Sequence, residues 1–249
     1  MRAKTAVRMV LVLAALGGLP VATATAWDSA KFKLLSRIVH PTHSYLTEYA
    51  IDALAGTYPE LQTYRSIIVE GANQELHELP VSGVLYGIDL NAKRIEHKGT
   101  NEGTDDIAGW WREVKTAYAA GNKQRAFLYL GIMLHMIEDM GVPAHANHVY
   151  HQGTLTEFDN FEAMAAQKWA PDFKDVNRRD PGFADPSKYY AFSADWTRTD
   201  APNYHDRNSF SKLWLTASAG DKALVSNRQG RTALVASWAL GAAAKALGL

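Results

Sequence analysis

The sequence predicts an all-α protein that folds as a single-domain bundle of several helices. Apolar residues recur at helical spacing through most of residues 41–247, and the alternation typical of strands is nearly absent. No internal repeat or low-complexity linker divides the chain. Residues 27–249 lie within the usual size range of one domain, and we therefore expect them to form one helical unit.

The individual helices follow from the apolar spacing and from the residues that end each run. The predicted helices cover residues 41–55, 60–72, 105–120, 123–140, 159–170, 209–225 and 228–247. Residues 77–104, which are rich in glycine, and residues 171–207, which are rich in Pro, Asp and Tyr, are predicted to be long loops. The clearest helix is 123–140, because Asn122 is a suitable N-cap and Gly141 and Pro143 end it.

The first 26 residues have the features of a secretory signal peptide. Arg2, Lys4 and Arg8 precede a short apolar stretch, which ends in the small residues of Ala24-Thr-Ala26. The stretch is too short and too interrupted by glycine and proline to cross a bilayer, and no later segment is long and apolar enough to do so. We therefore expect a secreted or periplasmic protein whose mature chain begins at Trp27.

The composition weakens some classes of function and excludes cysteine chemistry. The chain has 26 basic and 26 acidic residues, so its formal net charge is zero. No basic excess attracts nucleic acid, and no polybasic run holds an anionic membrane. The chain has no cysteine, which excludes disulfides and thiol nucleophiles. No protein partner is implied.

The strongest local signal is a histidine and an aspartate one turn apart in the clearest helix. His135 and Asp139 are at positions i and i+4, so both side chains lie on one helical face. The helix is strongly apolar, and a charged Asp139 on its inner side would be costly unless it were paired. Imidazole and carboxylate are common zinc ligands. The pair therefore indicates a metal site more strongly than an exposed ion pair.

Further histidines and acids surround this pair in the sequence. Eight of the nine histidines lie between residues 40 and 151. His145, His148 and His151 follow the helix, and Asp159 and Glu162 come shortly after them. Two imidazoles, one carboxylate and open water positions are typical of catalytic zinc. This region is therefore a candidate second metal pocket.

Three features together resemble the bacterial zinc-dependent phospholipase C family. Residues 126–147 contain His135-xxx-Asp139, a short turn with proline, and then His145-Ala-x-Asn. Residues 43–52 resemble the family's first-helix histidine motif, and Trp27 follows the export signal. The resemblance runs from residue 27 to about residue 165. That family shares its fold with the secreted single-strand-specific zinc nucleases and holds three zinc ions in a cleft between helices.

The resemblance implies a ligand set for two of the three ions. Trp27 would chelate one zinc ion through its free amino nitrogen and its carbonyl oxygen, and His43 would bind the same ion. Asp139 would bridge this ion to a second one, which His97 and His135 would also hold. Because a peptide amide has little basicity, the uncleaved precursor would lack the Trp27 ligand.

The remaining ligands that the resemblance implies are less directly matched. The third ion would take His145, with His151 and Glu162 as further ligands and His148 and Asp159 as the alternatives. The family's aspartate near the end of the second helix, a metal ligand and candidate catalytic base, falls on Leu76. The adjacent Glu75 is the candidate for that role, beside Asp139.

We therefore expect a secreted zinc-dependent phosphodiesterase of the phospholipase C type, acting on phospholipids. The first alternative is a nuclease acting on single-stranded nucleic acid, which would stack bases on aromatic residues. The aromatic candidates for stacking are Trp110, Trp111, Tyr150, Trp196 and Tyr204, although such residues more often belong to the core. The second alternative is an exported zinc-binding protein with little catalysis.

Overall fold

The computed structural model describes residues 42–73, 84–85, 88–89, 101–147, 161–174, 176–199 and 218–249. For the four strand residues and for residues 101–106 and 162–163 it describes the backbone only. This part of the chain is mostly helical, which confirms the all-α prediction. The proposed signal peptide and the junction at Trp27 lie outside the described residues.

Nine helices and one minimal hairpin make up the described elements. The helices are α1 (Thr42–Leu54), α2 (Pro59–Thr63), α3 (Arg65–Ala72), α4 (Asn101–Ala119), α5 (Lys123–Asp139), α6 (Pro143–Asn147), α7 (Phe161–Gln167), α8 (Lys188–Thr199) and α9 (Ala219–Leu247). The strands β1 (Val84–Leu85) and β2 (Ile88–Asp89) pair antiparallel. Among the described residues, no helix has both the length and the apolar character needed to cross a membrane.

Helix α5 is the centre of the core. All its residues from Ala126 to Asp139 are buried, and α3, α4 and α9 pack around it. Its N-terminus is capped as predicted, because the Asn122 side chain accepts a hydrogen bond from the Arg125 amide at 3.1 Å. A helix that is apolar on every side must be buried. The polar side chains near the C-terminal end of α5 are therefore buried as well.

Two glycines allow α3 and α5 to approach closely. A Cβ atom on Gly71 would lie 2.3 Å from the Leu128 carbonyl oxygen, and one on Gly131 would lie 2.1 Å from the Ile68 carbonyl oxygen. Both distances are far below van der Waals contact, so only glycine fits at this crossing. The contact brings the C-terminal end of α3 against the last two turns of α5.

Several predicted elements differ from the structure. The predicted helix 60–72 is two helices, α2 and α3, which meet at Tyr64. The predicted loop 77–104 contains the β1–β2 hairpin, and α4 begins at Asn101 rather than at residue 105. Residues 148–160 lie outside the described residues. The predicted helix 159–170 can therefore be compared with the structure only from Phe161, where α7 begins.

The largest errors concern α8 and α9. The predicted loop 171–207 contains α8, whose Tyr189, Ser193 and Trp196 are buried at the helical spacing i, i+4, i+7. The Pro- and Asp-rich flanks of α8 hide this pattern. The predicted helices 209–225 and 228–247 are not separated by a break, because α9 runs unbroken from Ala219 to Leu247. Residues 209–217 lie outside the described residues. Ser218 and Asp221 form a capping box at the start of α9.

Candidate metal centre

Three of the predicted ligands meet in one buried cluster. His43 lies in the first turn of α1, and His135 and Asp139 lie in the last two turns of α5. All three side chains are fully buried. Each offers one ligand atom, and these atoms lie within 4.8 Å of one another. The cluster is a candidate site for one metal ion, which we call the α1–α5 site.

The two imidazoles face different oxygens of the same carboxylate. His43 Nε2 lies 3.3 Å from Asp139 Oδ1, and His135 Nε2 lies 3.3 Å from Asp139 Oδ2. The two rings stack with their centroids 4.2 Å apart. Around a tetrahedral ion with bonds of about 2.0–2.1 Å, neighbouring ligand atoms are about 3.3 Å apart. Both pairs therefore have the spacing that a zinc ion requires.

Each imidazole is also oriented by a hydrogen bond at Nδ1, the ring nitrogen that does not face Asp139. His43 Nδ1 donates to Glu138 Oε2 at 2.6 Å, and Thr47 Oγ1 donates to Glu138 Oε1 at 2.8 Å. His135 Nδ1 donates to the Ala72 carbonyl oxygen at 2.8 Å. A histidine bound to metal usually donates its second N–H to such an acceptor, which fixes the tautomer and turns the other nitrogen toward the ion.

The backbone acceptor of His135 is a product of helix packing. Ala72 is the last residue of α3, where carbonyl groups lack partners within the helix. The close crossing at Gly71 and Gly131 places this carbonyl over the last turns of α5. A nearby bond from Asn73 Nδ2 to Ser44 Oγ, at 2.8 Å, ties the same chain end to α1. The packing of three helices therefore fixes the site.

The charges of the cluster favour a bound cation. Burial lowers the pKa of His43, but its hydrogen bonds to the carboxylates of Asp139 and Glu138, together with the charges of these carboxylates, outweigh this effect and raise the pKa from 6.5 to about 10. Burial also raises the pKa of Glu138, although bonding to His43 and Thr47 opposes the rise. Two buried carboxylates require positive charge beside them. That charge is either a proton on His43 or a metal cation that replaces it.

The residues present fit a zinc ion. Two imidazole nitrogens and a carboxylate are a donor set that suits zinc, and the set suits magnesium poorly because magnesium prefers oxygen ligands. Both imidazoles form a hydrogen bond through Nδ1, which leaves Nε2 to be the ligand atom. The prediction that His43, His135 and Asp139 are metal ligands is therefore consistent with the geometry, which brings the three together as one possible metal site.

The other predicted ligands are not part of this cluster in the described structure. His145 lies on α6 and is partly exposed. Glu162 lies in α7, and only its backbone is described. Six predicted or alternative ligands lie outside the described residues: Trp27, Glu75, His97, His148, His151 and Asp159. Their roles stay predictions.

The sequence analysis missed two residues of the site, Glu138 and Thr47. Glu138 is a carboxylate in an apolar helix, and the reasoning that singled out Asp139 applies to it equally. Thr47 lies four residues after His43, on the same face of α1. The i,i+4 spacing was the available signal for Thr47.

Comparison with known proteins adds no relationship for this chain. No family model matches the sequence, and no curated protein matches it significantly.

Zinc loading should stabilise the protein markedly, because the α1–α5 site joins two helices. At a free zinc concentration about 100 times the dissociation constant, binding adds about 2.7 kcal/mol to the free energy of unfolding. For a chain of this size, that corresponds to a rise in Tm of about 5–10 °C. Thermal unfolding followed by circular dichroism measures it, with and without a chelator. Magnesium at the same concentration is the control, and an equal shift with both ions would contradict a nitrogen-containing site.

Proposed function

We propose that the protein is an exported zinc-dependent phosphodiesterase of the phospholipase C type, which hydrolyses the bond between glycerol and phosphate in phospholipids. The main support is that the Nε2 atoms of His43 and His135 each lie 3.3 Å from a different oxygen of Asp139. A carboxylate with one histidine at each oxygen has the arrangement of a bridge between two ions. The motif of residues 126–147, which resembles that enzyme family, supports the choice of reaction.

The proposal assigns three zinc ions to this chain. The first would be held by Trp27, His43 and Asp139, and the second by Asp139, His97 and His135. The third would take His145, His151 and Glu162. This assignment rests on the resemblance, with the meeting of His43, His135 and Asp139 on α1 and α5 as its structural support.

The chemistry of the reaction divides between the ions and the chain. When bound, paired zinc ions supply a water of lowered pKa and hold the attacking and leaving oxygens of the phosphodiester. Asp139 would set the separation of the ions, while Glu138 and the Ala72 carbonyl hold the two imidazoles in place. Glu75 is the proposed base near the end of α3. The buried helices around Asp139 exclude water from this side of the site.

Three of the five aromatic candidates for base stacking are core residues. Trp110, Trp111 and Trp196 are 5%, 4% and 2% exposed, respectively, so their rings belong to the core. Stacking of bases needs exposed aromatic faces. Tyr150 and Tyr204, the other two candidates, lie outside the described residues.

Substrate assays with metal analysis test the proposal. The processed protein, beginning at Trp27 and loaded with zinc, is expected to contain three zinc ions and to release phosphocholine from short-chain phosphatidylcholine. The metal-depleted protein is the control and should be inactive until zinc is restored. Cleavage of single-stranded DNA with no action on lipid would instead identify a nuclease. Bound zinc without hydrolysis of either substrate would identify a zinc-binding protein.

A further inference from the structure

Glu138 occupies a special position beside the α1–α5 site. It is the residue before Asp139 and is fully buried. Each of its oxygens is engaged, Oε2 by His43 Nδ1 at 2.6 Å and Oε1 by Thr47 Oγ1 at 2.8 Å. Glu138 therefore contacts His43 at Nδ1, the ring nitrogen that is not the ligand atom.

We propose that Glu138 is a positioning residue that orients His43 for metal binding and makes the His43 side of the site bind its ion more tightly than the His135 side. This inference rests on the proposed metal site, but not on any particular substrate. It concerns a carboxylate that is not among the proposed metal ligands.

The first step is the orientation of the ring. Because Nδ1 of His43 donates to Glu138, Nε2 is the nitrogen that faces Asp139, at 3.3 Å, and its lone pair is available when a metal ion replaces the proton there. Thr47 holds the other oxygen of Glu138, so the carboxylate has little freedom to rotate. Thr47 and His43 are one turn apart on α1. One face of α1 therefore supplies both the ligand, His43, and the Thr47 hydroxyl that fixes the Glu138 carboxylate.

The second step is the difference between the two histidines. His43 is supported by a carboxylate, whereas His135 is supported by the neutral carbonyl of Ala72. A charged acceptor makes a stronger hydrogen bond than a neutral one. It also raises the basicity of the opposite nitrogen, which strengthens its bond to a metal. The His43 side should therefore have the higher affinity.

The third step is the charge balance in the protein interior. Two neutral imidazoles and the carboxylates of Glu138 and Asp139 carry a net charge of −2, against the positive charge of the two divalent cations proposed at Asp139. Buried charge is tolerated only when it is compensated nearby. Replacing Glu138 by a neutral residue would remove one of these two compensating negative charges, and binding should weaken.

The test measures zinc binding alone, by competition with a chromogenic chelator. Glu138→Gln keeps the size of the side chain but removes its charge, and we expect the tightest zinc ion to bind roughly 10–100-fold more weakly. Glu138→Asp keeps the charge on a shorter side chain and should recover part of the affinity. Cobalt(II) absorption is the second readout, because a change in ligand geometry alters the spectrum and a mere loss of stability does not.

Glu48→Gln is the matched control. It makes the same chemical change on α1, next to Thr47 in the sequence, but Glu48 is 30% exposed and lies 3.7 Å from Arg65. It should leave both the zinc affinity and the cobalt spectrum as they are in the wild-type protein. A drop as large as that of Glu138→Gln would show that the effect is not specific to Glu138 and would overturn the inference.

A second variant covers the case in which Glu138→Gln does not fold. Thr47→Val keeps the charge of Glu138 but removes one of its hydrogen bonds, and should weaken zinc binding several-fold with a changed cobalt spectrum. Wild-type affinity and spectrum in every folded variant would overturn the inference. If the wild-type protein binds zinc and Glu138→Gln weakens binding, but no phosphodiester is cleaved, the proposed function alone fails.

Discussion

Replacing Asp139 with Asn is expected to remove two zinc ions together and to abolish phosphodiester hydrolysis. Each oxygen of Asp139 lies 3.3 Å from the Nε2 atom of a different histidine, so both ions would lose a shared anionic ligand. Loss of a residue that only supports a ligand costs about 10–100-fold in affinity or activity. The direct ligand should cost more. Metal analysis of the purified variant and an assay with short-chain phospholipid measure the two effects.

Asp52→Asn is the matched control for this change. Asp52 lies on α1, its side chain is 59% exposed, and it pairs with Arg65 at 2.5 Å. The Arg65 side chain lowers the pKa of this carboxyl, but an exposed ion pair contributes little to stability. The control should keep the full zinc content and activity. Loss of a single ion from Asp139→Asn would contradict the bridging role and would favour one ion held by His43, His135 and Asp139 together.

Replacing Gly131 with Ala should have the largest effect on stability of any single methyl group added to α5. The new Cβ would lie 2.1 Å from the Ile68 carbonyl oxygen and 2.9 Å from the Gly71 Cα atom, and both neighbours are backbone atoms. Because backbone cannot rotate away, α3 must move. Overpacking of a core commonly costs about 1–3 kcal/mol, and a backbone overlap of this size should cost at least about 3 kcal/mol. Denaturant unfolding measures the loss.

The same variant should weaken zinc binding, although Gly131 has no side chain that could bind a metal ion. A displaced α3 moves the Ala72 carbonyl away from His135 Nδ1, whose N–H donates a hydrogen bond to this carbonyl at 2.8 Å in the native protein. Gly109→Ala is the control, because it lies within α4 and its Cβ would meet only the Arg112 side chain at 3.6 Å. That change should stabilise the protein by about 0.4–1 kcal/mol. Equal stability of the two variants would contradict the close crossing of α3 and α5.

The sequence determined much of the core helix and part of the site. Asn122, the apolar run and the Gly141–Pro143 stop located α5 almost to the residue, because these signals are local. The i,i+4 spacing of His135 and Asp139 placed both on one face for the same reason. Local signals failed where the same residues are compatible with either a loop or a helix. This is the case for α8, an aromatic helix that lies between segments rich in proline and aspartate.

Only the tertiary structure decided what surrounds the ligands. His43 and Glu138 are far apart in the sequence, and their hydrogen bond exists because α1 packs on the end of α5. His135 donates to the backbone carbonyl of Ala72. Because every residue has such a carbonyl, the residue type at position 72 gives no sign of this hydrogen bond. That carbonyl reaches the ring because Gly71 and Gly131 let two helices approach more closely than any side chain would permit. Residue spacing along one helix selects the ligands, whereas the packing of separate helices orients them.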